Sequence, residues 1–254
     1  MHTCFILYII KFVCLFKTVD NLDIMKLSII IPAYNEKNTI LEILKRIGSV
    51  DLSLEKEIII VDDHSTDGTV DILKKLDRNR YKIIFKEKNE GKGAAIKTGL
   101  EHARGEIIIF QDADLEYDPR DYPAMIRPIL ENRTEVVLGV RIKPERDERK
   151  RKLLYWLSLF GNKLITWTTN LLFWNNAGEY ESCYKAFTRR LLDTISIKAN
   201  GFEYDNELIC KILKKGYKTI DVPIRYYPRN YRAGKKIKWQ DGFKILLTII
   251  KERF

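Results

Sequence analysis

Two aspartates two positions apart, Asp112 and Asp114, follow a run of four apolar residues, Ile107 to Phe110. Such a run is what a strand buried on both faces shows. Residues i and i+2 of an extended segment point to the same side, so the two carboxylates converge where the strand leaves its sheet. Paired carboxylates suit a hard divalent cation that keeps open positions for diphosphate oxygens. A solvated acidic turn is the plain alternative, and the elements around the pair weigh against it.

Strand-like apolar runs recur near 27–31, 57–61, 82–85, 106–110 and 135–139, with helix-like stretches near 37–49, 68–77, 92–103 and 120–131 between them. Strand and helix alternating through short loops predict an α/β fold, a mostly parallel twisted sheet flanked by helices on both faces. Ligands of such sheets sit beyond the carboxyl ends of the strands. Each strand should therefore deliver chemistry just after its last apolar residue. After Ile31 come Pro32, Ala33, Tyr34, Asn35 and Glu36, an aromatic face and polar groups before a helix. After Val61 come Asp62 and Asp63, either able to accept from a ribose or a base edge, and then Asp67, placed to cap the next helix. After Phe110 comes the aspartate pair. Turns alone need no shared location for their polar residues. The loop Gly91-Lys92-Gly93 adds two glycines and a lysine at a helix start, without Walker spacing.

The 254 residues suffice for one large domain with appendages, and a net charge of +10 favours an anionic partner. Cys4, Cys14, Cys183 and Cys210 form no framework or zinc spacing, which favours a reducing compartment. Residues 4–16 are apolar except for Lys11, too short a stretch for a spanning helix of about 20 residues. Met25 stands directly before a strong strand signal, so 1–24 is read as an N-terminal extension upstream of the native start, or a loose membrane-surface tail. The domain proper is expected over 25–222. Within it, 148–174 carries Arg149, Lys150, Arg151 and Lys152 ahead of Tyr155, Trp156, Phe160, Trp167, Phe173 and Trp174. Aromatics flanked by basic residues are what an interface-lying helix requires, and this reading is preferred to a core helix or a spanning one. The remainder, 223–254, reads as a basic loop and a C-terminal amphipathic helix. Its 225–238 stretch holds six Lys/Arg and no acid. No base-reading motif accompanies it, which favours an anionic membrane surface over nucleic acid.

Pro32-Ala33-Tyr34-Asn35-Glu36, Val61-Asp62-Asp63-His64-Ser65-Thr66-Asp67-Gly68-Thr69, Gly91-Lys92-Gly93 and Asp112-Ala113-Asp114 resemble, in order and spacing, the successive signatures of family 2 glycosyltransferases with a GT-A fold. Within that family the chain is similar to polyprenyl-phosphate glycosyltransferases of the dolichol-phosphate mannose synthase kind, from Lys26 onward. The resemblance implies a nucleotide-sugar donor, Mg2+ or Mn2+, and a polyprenyl or dolichyl phosphate acceptor. It implies that Pro32, Tyr34, Glu36, Val61 and Asp63 hold the nucleoside and that Lys92 and Ala113 lie against the donor. Asp112 and Asp114 would take metal and diphosphate, with Glu116 where some relatives place a further ligand, Gln. Gly139-Val140-Arg141 resembles the family's Gly-Ser-Arg, whose arginine faces phosphate, and Arg229, Arg232, Lys235 and Lys236 are the other acceptor-phosphate candidates. Glu179 stands where the acceptor-loop signature has Asp, four residues before Cys183. The expected reaction is inverting transfer of a hexose from a GDP-mannose or UDP-glucose type of donor, by a cytoplasmic enzyme held peripherally on the membrane. The alternative is transfer to a hydroxyl of a glycan or glycolipid, which needs a general base, and Glu203 and Asp205 are the candidates.

Overall fold

The computed structural model describes residues 25–142, 153–229 and 239–254. Their strands are β1 (Lys26–Ala33), β2 (Glu55–Asp62), β3 (Tyr81–Phe85), β4 (Ile107–Phe110), β5 (Val136–Ile142), β6 (Lys185–Thr188) and β7 (Thr219–Arg225). Their helices are α1 (Ile40–Ser49), α2 (Thr69–Lys74), α3 (Lys92–His102), α4 (Tyr122–Leu130), α5 (Leu153–Phe173), α6 (Arg189–Leu192), α7 (Tyr204–Lys214) and α8 (Trp239–Arg253), with a 3-10 turn at Pro119–Asp121. Ile29 to Ile31, Ile59 to Val61 and Ile107 to Phe110 are wholly buried. Runs of β-branched residues fit the pleated surface of a sheet covered on both faces. Helix α1 buries Ile40, Ile43, Leu44 and Ile47, the stripe that 3.6-residue periodicity places on one face.

The sheet has the order β3-β2-β1-β4-β6-β5-β7. It is parallel except for β6, which runs antiparallel to both β4 and β5. This is the α/β architecture, a mostly parallel sheet, expected from the alternation. Two strands were not visible in the apolar pattern. β6 is four residues long and opens on a lysine, and β7 alternates and contains Pro223, which suits a strand at the sheet edge. The stretch 37–49 becomes helical only at Ile40, because Glu36 to Thr39 forms a turn in which the Thr39 amide donates to the Glu36 carbonyl.

Register brings the strand ends together. Ile30 pairs with Phe110 and Ala33 with Asp62, and the Gln111 amide still donates to the Ile30 carbonyl. Because β6 is reversed, its first residue meets the carboxyl end of β4, delivering Cys183, Tyr184 and Lys185 to that edge. The strand β7 runs parallel to β5, so the residues after it return to the same edge, where Tyr226 bridges to Tyr117.

Candidate functional site

The residues after β1, β2 and β4 are held in strained turns. Asn35, His64 and Leu115 have φ of 53°, 63° and 65°, a region that side chains other than glycine rarely adopt and that clusters at functional sites. Asn35 is fixed on both sides: its amide donates to Ser65 Oγ and its Oδ1 accepts from the Thr66 amide. Asp67 caps α2 from outside the helix, with Oδ1 accepting from the Thr69 amide and hydroxyl and Oδ2 from the Lys37 amide. The loops after β1 and β2 are thus one unit.

Asp63 is buried and turned onto the glycine loop. Its Oδ1 accepts from the Glu90 amide at 3.0 Å and its Oδ2 from the Gly91 amide at 2.7 Å, with Lys86 Nζ at 3.2 Å. Gly91 has φ of 99°, and a Cβ there would meet the Asn200 carbonyl at 2.6 Å. A Cβ at Gly93 would meet Tyr204 Cβ at 2.6 Å. The loop is therefore clamped between Asp63 and the start of α7, which sets the first residue of α3, Lys92. A lysine at a helix N-terminus opposes the helix dipole. The offset is Asp112, whose Oδ1 lies 2.5 Å from Lys92 Nζ. Burial works against the charge of Lys92, but Asp112 outweighs it and holds the ammonium protonated.

Arg229 serves the other aspartate. Its guanidinium donates to the Asp114 carbonyl at 2.7 Å and to Glu36 Oε2 at 3.0 Å, and stands 3.5 Å from Asp114 Oδ2. Its amide donates to Glu116 Oε1 at 2.7 Å, and Tyr226 OH donates to Glu116 Oε2 at 3.3 Å. So Glu36, Asp114, Glu116 and Arg229 form one cluster, while Asp112 belongs with Lys92. Among the described residues no three carboxylate, histidine or cysteine groups gather as a ready metal cage, and the Glu116 carboxylate is occupied by the segment after β7. Arg141 lies apart from Arg229: it is ion-paired with Glu179, whose Oε2 also accepts its amide at 3.1 Å, and its guanidinium lies 4.9 Å from the Tyr226 ring centre. Pro32 and Tyr34 are half-buried at the end of β1, Ala113 is buried between the aspartates, and Val61 is buried in the core. Arg232, Lys235 and Lys236 lie outside the described residues, as do 1–24 and the basic run 149–152.

Three features were missed in the sequence. Lys185 is buried and paired with Asp205 at 2.5 Å. Burial pushes the Asp205 carboxyl up against the opposing pull of Lys185 and Lys92, and its Oδ1 has no hydrogen-bond partner. Burial likewise pushes up Glu181, which accepts from Asn206 Nδ2 at 2.9 Å. Gln111 accepts two tyrosine hydroxyls, Tyr122 and Tyr184, each at 2.6 Å. The one hint was that Lys185 ends the stretch Cys183-Tyr184-Lys185, which resembles the acceptor-loop signature; its partner, 20 positions away, could not be read. Two surface grooves flank these elements. One of about 340 Å³ is lined by Leu100, Ile108, Leu192 and Ile195, and one of about 460 Å³ by Arg46, Leu115, Arg120 and Tyr227.

A family model described as glycosyl transferase family 2 matches residues 28–196. A dolichol-phosphate mannosyltransferase of Pyrococcus furiosus is 28% identical over 233 residues, 89% of this chain and 63% of that relative, so the chain spans less than two thirds of its length. A UDP-N-acetylglucosamine–dolichyl-phosphate N-acetylglucosaminyltransferase of Methanococcus voltae is 29% identical over 241 residues, 87% of this chain and 94% of the relative. Among solved structures, glucosyl-3-phosphoglycerate synthase of Mycobacterium tuberculosis, crystallised with Mn2+, UDP and its product, shares the fold with a TM-score of 0.64 at 20% identity, over 90% of this chain and 80% of that one.

Proposed function

The chain belongs to glycosyl transferase family 2, and from that premise we propose that it transfers a hexose from a nucleoside diphosphate sugar to a polyprenyl phosphate at a membrane surface, with inversion at the anomeric carbon. The observation that carries this reading is the pair Asp112 and Asp114 at the end of β4, each matched by its own cation, Lys92 and Arg229. The carboxylates fit Mg2+ or Mn2+, which prefer hard oxygen donors and are commonly held by one or two carboxylates plus substrate phosphates. A divalent ion bound there supplies charge stabilisation to the departing diphosphate.

The chain's own groups do the rest. Pro32, Tyr34 and the Glu36 turn line the base and ribose end, while Asp63 fixes the Gly91 loop and aims Lys92 at the diphosphate. Negative charge develops on the leaving oxygen, and fixed cations aimed there stabilise it without reorganisation. Arg141, held by Glu179 against Tyr226, keeps a guanidinium charge at this edge for the acceptor phosphate. A phosphate monoester loses its second proton with a pKa of roughly 6, so the nucleophile arrives ionised and no side chain has to remove a proton. Two relatives bear names that specify dolichyl or dolichol phosphate, which supports this acceptor class.

The test is transfer by the purified protein from a panel of GDP- and UDP-sugars to a short polyprenyl phosphate, with and without Mn2+. Metal-dependent sugar transfer to the lipid phosphate is the expected result. Transfer to glycan or glycolipid hydroxyls with none to the phosphate would overturn the acceptor assignment, and no release of nucleoside diphosphate from any donor would overturn the activity.

A further inference from the structure

The chain at Gln111 and Asp112, where β4 ends, is anchored from three directions. The Gln111 amide donates to the Ile30 carbonyl at 3.0 Å, tying it to β1. Its side chain is wholly buried, and Oε1 accepts Tyr122 OH from the start of α4 and Tyr184 OH from the approach to β6, both at 2.6 Å. The Asp112 carbonyl can only accept, so the amide end that faces it is Nε2, donating at 2.8 Å, and Oε1 is left to take both hydroxyls. Both tyrosines are wholly buried. Neither tyrosine nor the glutamine is called for by the core itself, since apolar residues of similar shape fill such space without polar groups to satisfy.

What the network holds is the backbone from which the Asp112 carboxylate projects. The next turn is under strain, with Leu115 at φ of 65°, and the Glu116 amide closes it onto Asp114 Oδ1 at 3.0 Å. A strained turn keeps two carboxylates in register only where its surroundings over-determine it. Gln111 supplies that constraint on the strand side. We propose that Gln111, gripped by Tyr122 and Tyr184, is a positioning residue that sets Asp112 relative to Asp114 so that both meet one divalent cation and its diphosphate. The inference rests on the proposed nucleotide-sugar reading of the same site. Groups that orient ligating carboxylates act on metal affinity although they never touch the metal.

The experiment measures binding of GDP and of UDP by calorimetry across a Mn2+ titration, together with thermal melting, for the full chain and its variants. Gln111→Met keeps the volume but removes both halves of the amide, and it should raise the Mn2+ concentration at half-effect roughly tenfold. Tyr122→Phe removes one of the two hydroxyls and should raise it about threefold, the worth of one ordinary hydrogen bond. A merely structural role would lower the melting temperature and leave the Mn2+ dependence where it was. Wild-type Mn2+ dependence in a folded Gln111→Met protein overturns the inference. If that variant does not fold, wild-type dependence in Tyr122→Phe does so. A wild-type protein that binds neither nucleotide at any Mn2+ concentration sinks the nucleotide-sugar reading itself, and the inference with it. Binding by wild type with unshifted variants sinks the inference alone.

Discussion

Removing a carboxylate at the end of β4 subtracts an oxygen ligand and also leaves a cation without its partner. Asp114→Ala takes the charge next to Arg229, which keeps Glu36 at 3.0 Å, so the fold should survive. About 4 kcal/mol of lost charge stabilisation corresponds to roughly 10³ in rate, and turnover should fall by about two to three orders of magnitude. Asp112→Ala should act in the same direction but more weakly, because Lys92, freed from its partner at 2.5 Å, gains access to the diphosphate. Near-wild-type turnover of both variants in saturating Mn2+ would remove the metal assignment. The question of a general base also belongs to single residues. Asp205 is an unsafe place to probe it by itself, because Asp205→Asn strands the buried Lys185 ammonium, and breaking a buried pair from one side costs about 3–5 kcal/mol. The cleaner set is Glu203→Gln and the double variant Asp205→Asn/Lys185→Met. Both should retain transfer to a lipid phosphate within about tenfold, less than the 10²–10⁴ that general bases typically contribute. Loss of transfer by either folded variant, with donor binding intact, would make a side chain the base and a hydroxyl the acceptor.

At the scale of elements, α7 holds more of the site than its sequence announced. Glu207, in its first turn, is buried and accepts the Lys198 amide at 2.9 Å and the Ala199 amide at 2.7 Å, and is ion-paired with Lys211. The Asn200 carbonyl then accepts the Ala94 amide at 3.1 Å, so the strap 198–200 fastens the first turn of α3 and with it Lys92. Burial pushes the Glu207 carboxyl up, but Lys211 and the two amides outweigh it and leave it below the usual range. A carboxylate depressed in the folded state contributes stability above its unfolded pKa, near 4.3, and that contribution is lost as pH falls through the folded value. Glu207→Gln should therefore destabilise by about 1–3 kcal/mol at neutral pH, and the gap to wild type should begin to narrow once pH falls below about 4.3. Urea unfolding at several pH values measures it, and a gap unchanged at low pH would contradict the role of the charge. The same scale shows what could be read in advance. β1, β2 and β4 announce themselves because strands buried on both faces need unbroken apolar runs, and Asp112 and Asp114 because acids at a strand end stand out against them. β6 could not be read, since its buried Lys185 finds its partners in Asp205 and the Ser182 carbonyl, and its antiparallel direction follows from pairing with Ile107 to Ile109, some 80 positions earlier. Gln111 looked like an ordinary polar residue because both tyrosines that give it a role come from other elements.

At the scale of the molecule, most of the large apolar side chains exposed among the described residues gather on two helices. Trp156, Phe160, Leu164, Trp167, Leu171 and Trp174 follow one line along α5 and just past its end, and Phe243, Leu247 and Ile250 follow another along α8, which packs against α5. Spacings of three and four residues put each set on one helical face. Exposed contiguous apolar surface of this kind marks a membrane or protein contact. No described helix is long and apolar enough to cross a membrane. If these faces meet a bilayer, the aromatic rings sit at headgroup depth. Arg232, Lys235, Lys236 and Lys238 would add about 1 kcal/mol each if they reach an anionic surface, a contribution screened over about 8 Å at physiological ionic strength. The two contributions separate experimentally. The protein should sediment with vesicles of phosphatidylserine and phosphatidylcholine, and high salt should release it only in part. Charge reversal of Lys235, Lys236 and Lys238 should remove the salt-sensitive fraction and raise the apparent KM for the lipid acceptor. Phe160→Ser with Trp167→Ser should remove the salt-resistant fraction while leaving the KM for the nucleotide sugar unchanged, since neither residue lies at the strand ends. Sedimentation that survives both sets of substitutions would show that the α5 and α8 faces are not the docking surface. A shift to a larger species on gel filtration, lost in the same serine variant, would assign those faces to a second copy of the chain instead.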